Sequence, residues 1–332
     1  METKVHIGEL YGGGLVLGYS CSSRCRHCLY GCGPHRRDGG APDRLDAILD
    51  QLAEVAPHAR YHIGGGEPFL NLTLVEHAVR GLGERGLHLE YIETNASWVR
   101  SRKHAEETLA GLAAAGLRCV LVSVSPFHAE FVPYARTRDL IAAARDVLPG
   151  GAFVWIPDFI PDLERGNVER TFDLEGLLAE RGDRFALGLA DRYGLVLGGR
   201  AGRYAATHGQ ARPWRQFSNE TTCRSRLSDT GHFHVDLDGL YVPGLCAGIA
   251  LPLDEVPGEL DLTRYPALAA LVSGGPAALV EVASELGFEP LATYSAPCDL
   301  CTHVRGFLHR AGFAGLGPAA YYDPRSVGGF DS

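Results

Sequence analysis

Over its first two-thirds, the chain of 332 residues alternates short apolar runs with segments of helical period. GLVLGYS (14–20), RYHIGGG (60–66), HLEYIETN (88–95), CVLVSVS (119–125) and AFVWIPDF (152–159) read as strands. Between them, DRLDAILDQLAEV (43–55) sets Leu45, Ile48, Leu49, Leu52 and Val55 on one helical face. LTLVEHAVRGL (72–82), KHAEETLAGLAAAG (103–116) and RDLIAAARDVL (138–148) repeat that pattern. DLEGLLAERG (173–182) reads as a further helix and FALGLAD (185–191) as a sixth strand. Such a repeat predicts an α/β fold with a parallel sheet, because parallel neighbours need a crossover helix. A partial or complete α/β barrel and an open doubly wound sheet all satisfy it. In each, chemistry sits at the carboxyl ends of the strands.

After about residue 200, Gly and Pro become frequent and the alternation fades. HFHVDLDGLYVPG (232–244) predicts a β-hairpin turning at Asp238-Gly239. A helical stretch near 265–287 and the pair CDLC (298–301) follow. The expected division is a core domain over 1–200 and a small cysteine-containing domain over 201–332. No apolar run is read as membrane-spanning, and METKVHIGELYGGG lacks a secretory apolar core. The expectation is a cytoplasmic protein with no membrane partner. A net charge of −9 without a basic block speaks against a nucleic-acid partner.

Nine cysteines in a reducing compartment point to metal or catalysis rather than disulfides. Four lie within residues 21–32, and the segment CSSRCRHC carries Cys21, Cys25 and Cys28. Cubane [4Fe–4S] clusters take four cysteine thiolates, so three on one short loop leave an iron open. A closed zinc site would want a fourth protein ligand nearby; His27 adjoins Cys28, where a tight chelate is awkward. The notable motifs all fall at strand ends: this triad after the first strand, GGGEP (64–68) after the second, ETN (93–95) at the third, SVSPFH (123–128) after the fourth.

The CxxxCxxC triad followed by GGGEP resembles the signature of the radical S-adenosylmethionine (SAM) superfamily. The resemblance covers about the first 200 residues. It implies a partial (β/α)6 barrel and a [4Fe–4S] cluster on Cys21, Cys25 and Cys28 whose open iron chelates SAM. It further implies reductive cleavage of SAM to a 5′-deoxyadenosyl radical that takes a hydrogen atom from substrate, with flavodoxin or ferredoxin as electron donor. Gly65, Gly66, Glu67 and Pro68 correspond to the family's GGE motif, with Glu67 as acceptor for the SAM amino group. Thr94, Asn95, Ser123 and Ser125 fall where family members contact SAM, Ser125 being the better placed of the two serines. LVLGGRA (195–201) resembles a further family segment, through Gly198 and Gly199. Cys32 is read as a packed thiol rather than a cluster ligand.

Cys223, Cys246, Cys298 and Cys301 resemble the auxiliary-cluster domains called SPASM and Twitch. Four cysteines suit one auxiliary [4Fe–4S] cluster, and Cys₄ zinc fits the same spacing. The expected activity is therefore a radical SAM enzyme acting on a small molecule or peptide, with net oxidation (dehydrogenation or crosslinking) through the auxiliary cluster. The chain starts almost at the barrel, which tilts the expectation toward a small molecule or a peptide presented by a separate protein. A redox-neutral epimerase with a cysteine hydrogen donor, and a non-catalytic iron–sulfur or zinc protein, are the alternatives. Asp158, Asp191 and Tyr193 are candidate bases near strand ends.

Overall fold

A computed structural model of the chain describes residues 2–37, 39–217 and 223–329. In chain order its strands are β1 (Lys4–Ile7), β2 (Gly12–Val16), β3 (Arg60–Gly64), β4 (His88–Thr94), β5 (Val120–Val122), β6 (Ala152–Val154), β7 (Arg212–Pro213), β8 (Phe233–Asp236), β9 (Leu240–Val242), β10 (Leu251–Pro252), β11 (Gly258–Asp261) and β12 (Thr293–Tyr294). The helices are α1 (Pro42–Val55), α2 (Leu72–Glu84), α3 (Arg102–Ala115), α4 (Pro126–Ala129), α5 (Tyr134–Val147), α6 (Ile160–Glu164), α7 (Leu174–Arg181), α8 (Asp183–Tyr193), α9 (Gly199–Thr207), α10 (Cys223–Leu227), α11 (Pro266–Ser284), α12 (Pro297–Arg310) and α13 (Pro324–Val327).

Eight strands form one sheet in the order β10-β9-β8-β2-β3-β4-β5-β6. From β2 to β6 neighbours are parallel and follow chain order, as crossover helices require. Period-two alternation divides the faces. Tyr61, Ile63, Ile92, Val120 and Val122 are fully buried against Leu45, Leu49, Leu74, Val75, Leu109 and Leu112 of the helical layer. The opposite face carries Tyr91, Glu93, Leu121, Ser123 and His234, which line a cavity. Asn71 and Ser101 cap α2 and α3 through side-chain oxygens that accept from Leu74 N–H and His104 N–H.

The α/β class and the parallel sheet of a partial barrel are as expected, but the sixth strand is not. FALGLAD lies inside helix α8, with Ala186, Leu189 and Ala190 buried against Phe127, Phe159 and Leu178. The sixth parallel strand is β8, the first arm of the C-terminal hairpin, which pairs with β2 through Gly14↔His234. The hairpin itself is as read, with Gly239 at φ 72° in the turn. Helix α11 corrects the reading that no segment is apolar enough to span a membrane: it passes by length and composition. Yet 61% of its apolar window is buried inside the protein, and it breaks at Gly274 and Gly275.

Candidate functional site

The Cys21–Cys32 loop leaves the carboxyl end of β2 and is pinned at its base. Cys21 N–H donates to Gly33 O (3.3 Å), and Gly33 N–H to Tyr19 O (3.3 Å). Its interior is held by Arg200 of α9, which is 6% exposed. Nε donates to Cys25 O (2.9 Å), one Nη to Cys32 O (2.7 Å) and the other to Ser326 O (3.0 Å). Sequence reading singled out the neighbouring glycines and missed this arginine. Gly199 instead packs its backbone against Leu29, since a Cβ there would lie 2.8 Å from Leu29 O. Arg200→Met strands three buried carbonyls and is expected to cost about 3 kcal/mol or more in urea unfolding. Arg200→Lys recovers little, because one ammonium lacks the planar fork that spans three acceptors. Wild-type stability in either variant would show the carbonyls to be satisfied otherwise.

Cys21, Cys25 and Cys28 line a cavity of about 480 Å³ at the carboxyl end of the sheet, together with Gly65, Gly66, Thr94, Asn95 and Ser123. Burial pushes the Cys21 thiol up to about 12 and that of Cys25 well above its ordinary range. Cys28 is drawn toward thiolate by a hydrogen bond from Cys32, whose own thiol is held protonated. Cys21 Sγ accepts from Ser23 N–H and Asn95 Nδ2, both at 3.4 Å. Buried thiols on one wall are a donor set that a metal centre would deprotonate and hold. The residues present therefore fit an iron–sulfur cluster. Cys25, His27 and His128 also bring ligand atoms within 4.8 Å of one another, a spacing suited to a single ion.

The GGGEP segment serves the site through its backbone. A Cβ on Gly66 would lie 1.9 Å from Ser20 O, and Gly65 sits at φ 130°. The close approach is made to the chain entering the cysteine loop, sealed by Gly66 N–H to Gly18 O (2.8 Å) and Glu67 N–H to Ser20 O (2.9 Å). Pro68 opens the short 3₁₀ turn that follows and is buried. Glu67 lies behind the cavity wall. Its carboxylate accepts from Phe69 N–H (3.2 Å), Thr94 Oγ1 (2.8 Å) and Asn95 N–H (2.7 Å), tying this turn to the end of β4. Burial pushes its pKa up to about 7, and those three donors pull the other way. Ser123 lines the cavity, whereas Ser125, the favoured serine, is fully buried and shares a hydrogen bond with His128 Nδ1 (2.8 Å).

Of the candidate bases, Tyr193 lines the cavity, while Asp158 and Asp191 are exposed to solvent. Glu93 was missed. It projects into the cavity from β4 with its side chain 39% exposed there, and the partial desolvation pushes its pKa upward, to about 7. The signal was the alternation Tyr91-Ile92-Glu93, which puts both polar side chains opposite buried Ile92. Around the cysteine loop, Arg26 pairs with Glu130 and Glu175, and Arg36 is buried over the Tyr19 ring.

Cys223, Cys246, Cys298 and Cys301 come together around a second cavity of about 470 Å³. Cys298 and Cys301 stand three apart in the first turn of α12, which puts them on one helical face. Burial pushes Cys223 above its ordinary range, reinforced by Cys301, Cys246 and Cys298; burial likewise lifts Cys246 to about 12. Buried Arg305 donates from Nε to Cys301 Sγ (3.2 Å) and from Nη to Ala247 O (2.8 Å). Leu29, Gly194, Leu195, Val196 and Leu245 line both cavities and so form the wall between them.

No protein-family model matches the chain, and no curated protein matches it. Among solved structures it is similar to Streptococcus suis SuiB bound to S-adenosylmethionine: 13% identity, 80% of this chain and 66% of that chain covered, TM-score 0.39. Escherichia coli coproporphyrinogen III oxidase (HemN), described as a radical SAM enzyme, gives 11%, 91%, 90% and 0.39. Native anSMEcpe with bound AdoMet and Cp18Cys peptide gives 14%, 43%, 42% and 0.34, so the chain spans less than half of that protein. These superpositions are loose, and the functional reading rests on this chain's own residues.

Proposed function

We propose that the chain is a radical SAM enzyme with an auxiliary iron–sulfur cluster in a SPASM- or Twitch-like C-terminal region. The observation that carries it is that Cys21, Cys25 and Cys28 share one cavity with Gly65 and Gly66 of the GGGEP segment, Thr94, Asn95 and Ser123 at the carboxyl end of a parallel sheet. When bound, the cluster and SAM supply an electron and a 5′-deoxyadenosyl radical. The chain's residues do the rest: Arg200 and the Gly65–Gly66 turn hold the cysteine loop, and Asn95 and Ser23 donate to a ligand sulfur. A flavodoxin or ferredoxin would deliver the electron. The substrate is a small molecule or a peptide side chain, entering past Trp155, which is exposed at the cavity rim.

Four thiols ringing the second cavity suit an auxiliary cluster better than zinc. Tetrahedral zinc draws its sulfurs to within about 3.8 Å of one another, from Zn–S bonds of about 2.3 Å. Among the described residues, the groups compact enough for one ion do not include these four. An electron-accepting cluster there gives the reaction a net oxidative outcome. Glu93 is the base we assign to the substrate proton released on oxidation. Glu93→Gln is expected to leave 5′-deoxyadenosine formation intact while lowering product formation by about 100-fold or more. Equal loss of both would remove Glu93 from that role.

A redox-neutral reading is favoured by one observation: the Cys32 thiol is buried, held protonated and lines the same cavity. Cys32→Ala separates the two, because only a hydrogen-atom donor would be needed for product and not for SAM cleavage. The test of the whole reading is anaerobic incubation with SAM and dithionite. Formation of 5′-deoxyadenosine supports it, and none from iron-loaded protein sinks it.

A further inference from the structure

We propose that His62, His232 and His234 form a mononuclear site for a divalent transition-metal ion, open to the cavity so that a substrate oxygen or nitrogen completes its coordination. The three imidazoles each offer a ligand nitrogen, and these nitrogens all lie within 4.8 Å of one another. The convergence is built by the sheet. Gly14 on β2 is the lateral neighbour of both His62 on β3 and His234 on β8. All three therefore stand in one row, on one face. Because the middle position has no side chain, the flanking imidazoles meet across it. A Cβ on Gly14 would lie 2.6 Å from His62 Nε2 and 2.9 Å from His234 Nε2. His232, two residues before His234, falls on the same face.

Neighbouring side chains hold two of the three rings, and a modest rotation of His232 out of its stack would bring its lone pair to the shared point. His234 Nδ1 lies 2.9 Å from the hydroxyl of the partly buried Tyr30. With Nδ1–H donating to that oxygen, Nε2 is the lone-pair nitrogen turned toward the other two histidines. His62 is held between Tyr91, stacked at 5.1 Å, and His232, stacked at 5.5 Å. Glu93 Oε1 lies 3.8 Å from His62 Nε2, so a carboxylate flanks the site and offsets the ion's charge. Three imidazoles suit zinc, iron, copper or nickel rather than calcium or magnesium. Three protein ligands with a vacant position mark a site that binds an exogenous donor. His232 and His234 also line the cavity that holds the cysteine triad, so a substrate held there would face both centres.

The inference concerns nitrogen donors and stands apart from the cysteine reading. The experiment is equilibrium dialysis of the anaerobic, cluster-loaded chain against zinc, with metal counting and zinc-edge X-ray absorption. The expected result is one zinc per chain beyond the iron, with a nitrogen–oxygen shell at about 2.0–2.1 Å and no sulfur shell at about 2.3 Å. His232→Ala, at a partly exposed position outside the hydrophobic core, and His62→Gln should each weaken zinc binding at least tenfold. Retention of no zinc, a sulfur shell in the cluster-loaded chain, or affinity unchanged in both folded variants would overturn the proposal. Protein without iron that still binds zinc through nitrogen, lost in His232→Ala, would keep this site and sink the cluster reading instead.

Discussion

Replacing Cys21, Cys25 and Cys28 together by Ala is expected to remove about four iron and four sulfide per chain, leave about four of each behind, and abolish 5′-deoxyadenosine formation. The three sulfurs share one cavity wall, whereas the remaining metal would sit in a separate cavity ringed by the other four cysteines. The loss in activity should be complete, because an open iron cannot be offered by a cluster that has no ligands. Iron and sulfide assays on anaerobically prepared protein check it, with circular dichroism to verify folding. Zinc in place of iron at the triad, bound through Cys25, His27 and His128, would redirect the site to single-ion chemistry.

Replacing Cys298 and Cys301 by Ala should have the opposite signature. About four iron remain, SAM is still cleaved, and oxidation of substrate stops. The protein should also lose stability, because the free energy of binding a metal centre to a site that exists only in the folded chain is folding free energy. The effect concentrates on the first turn of α12, where Cys301 is buried and accepts from Arg305. In the variant Arg305 keeps its charge but loses the sulfur it faces, which adds to the cost. Calorimetry and product analysis check both parts. Unchanged iron and unchanged turnover would mean that the four thiols hold no cluster.

The motifs were legible because they are local. CxxxCxxC and GGGEP each sit in one loop, and i, i+3 spacing in CDLC already puts two thiols together once a helix starts at Pro297. The helix α8 was misread because seven apolar-rich residues satisfy both periods. Its eleven-residue length and the buried triplet Ala186, Leu189 and Ala190 decide for the helix. Arg200 was invisible, since its acceptors come from residues 25, 32 and 326. The histidine row was equally hidden: His62 and His234 are 172 positions apart and meet only because β8 docks beside β2. Ser123 and Ser125 share a strand face by alternation, but β5 ends at Val122, so the period no longer governs where Ser125 points.

That docking of β8 has a further effect. The carboxy-terminal third is stitched into the same lamina as the amino-terminal half, on the flank of β2 that would otherwise be bare. Severing the polypeptide near residue 200 would strip that seam and expose a row of unpaired backbone groups, an invitation to aggregate. The two cysteine-bearing halves are thus obliged to fold together, and neither can be borrowed as a stand-alone part.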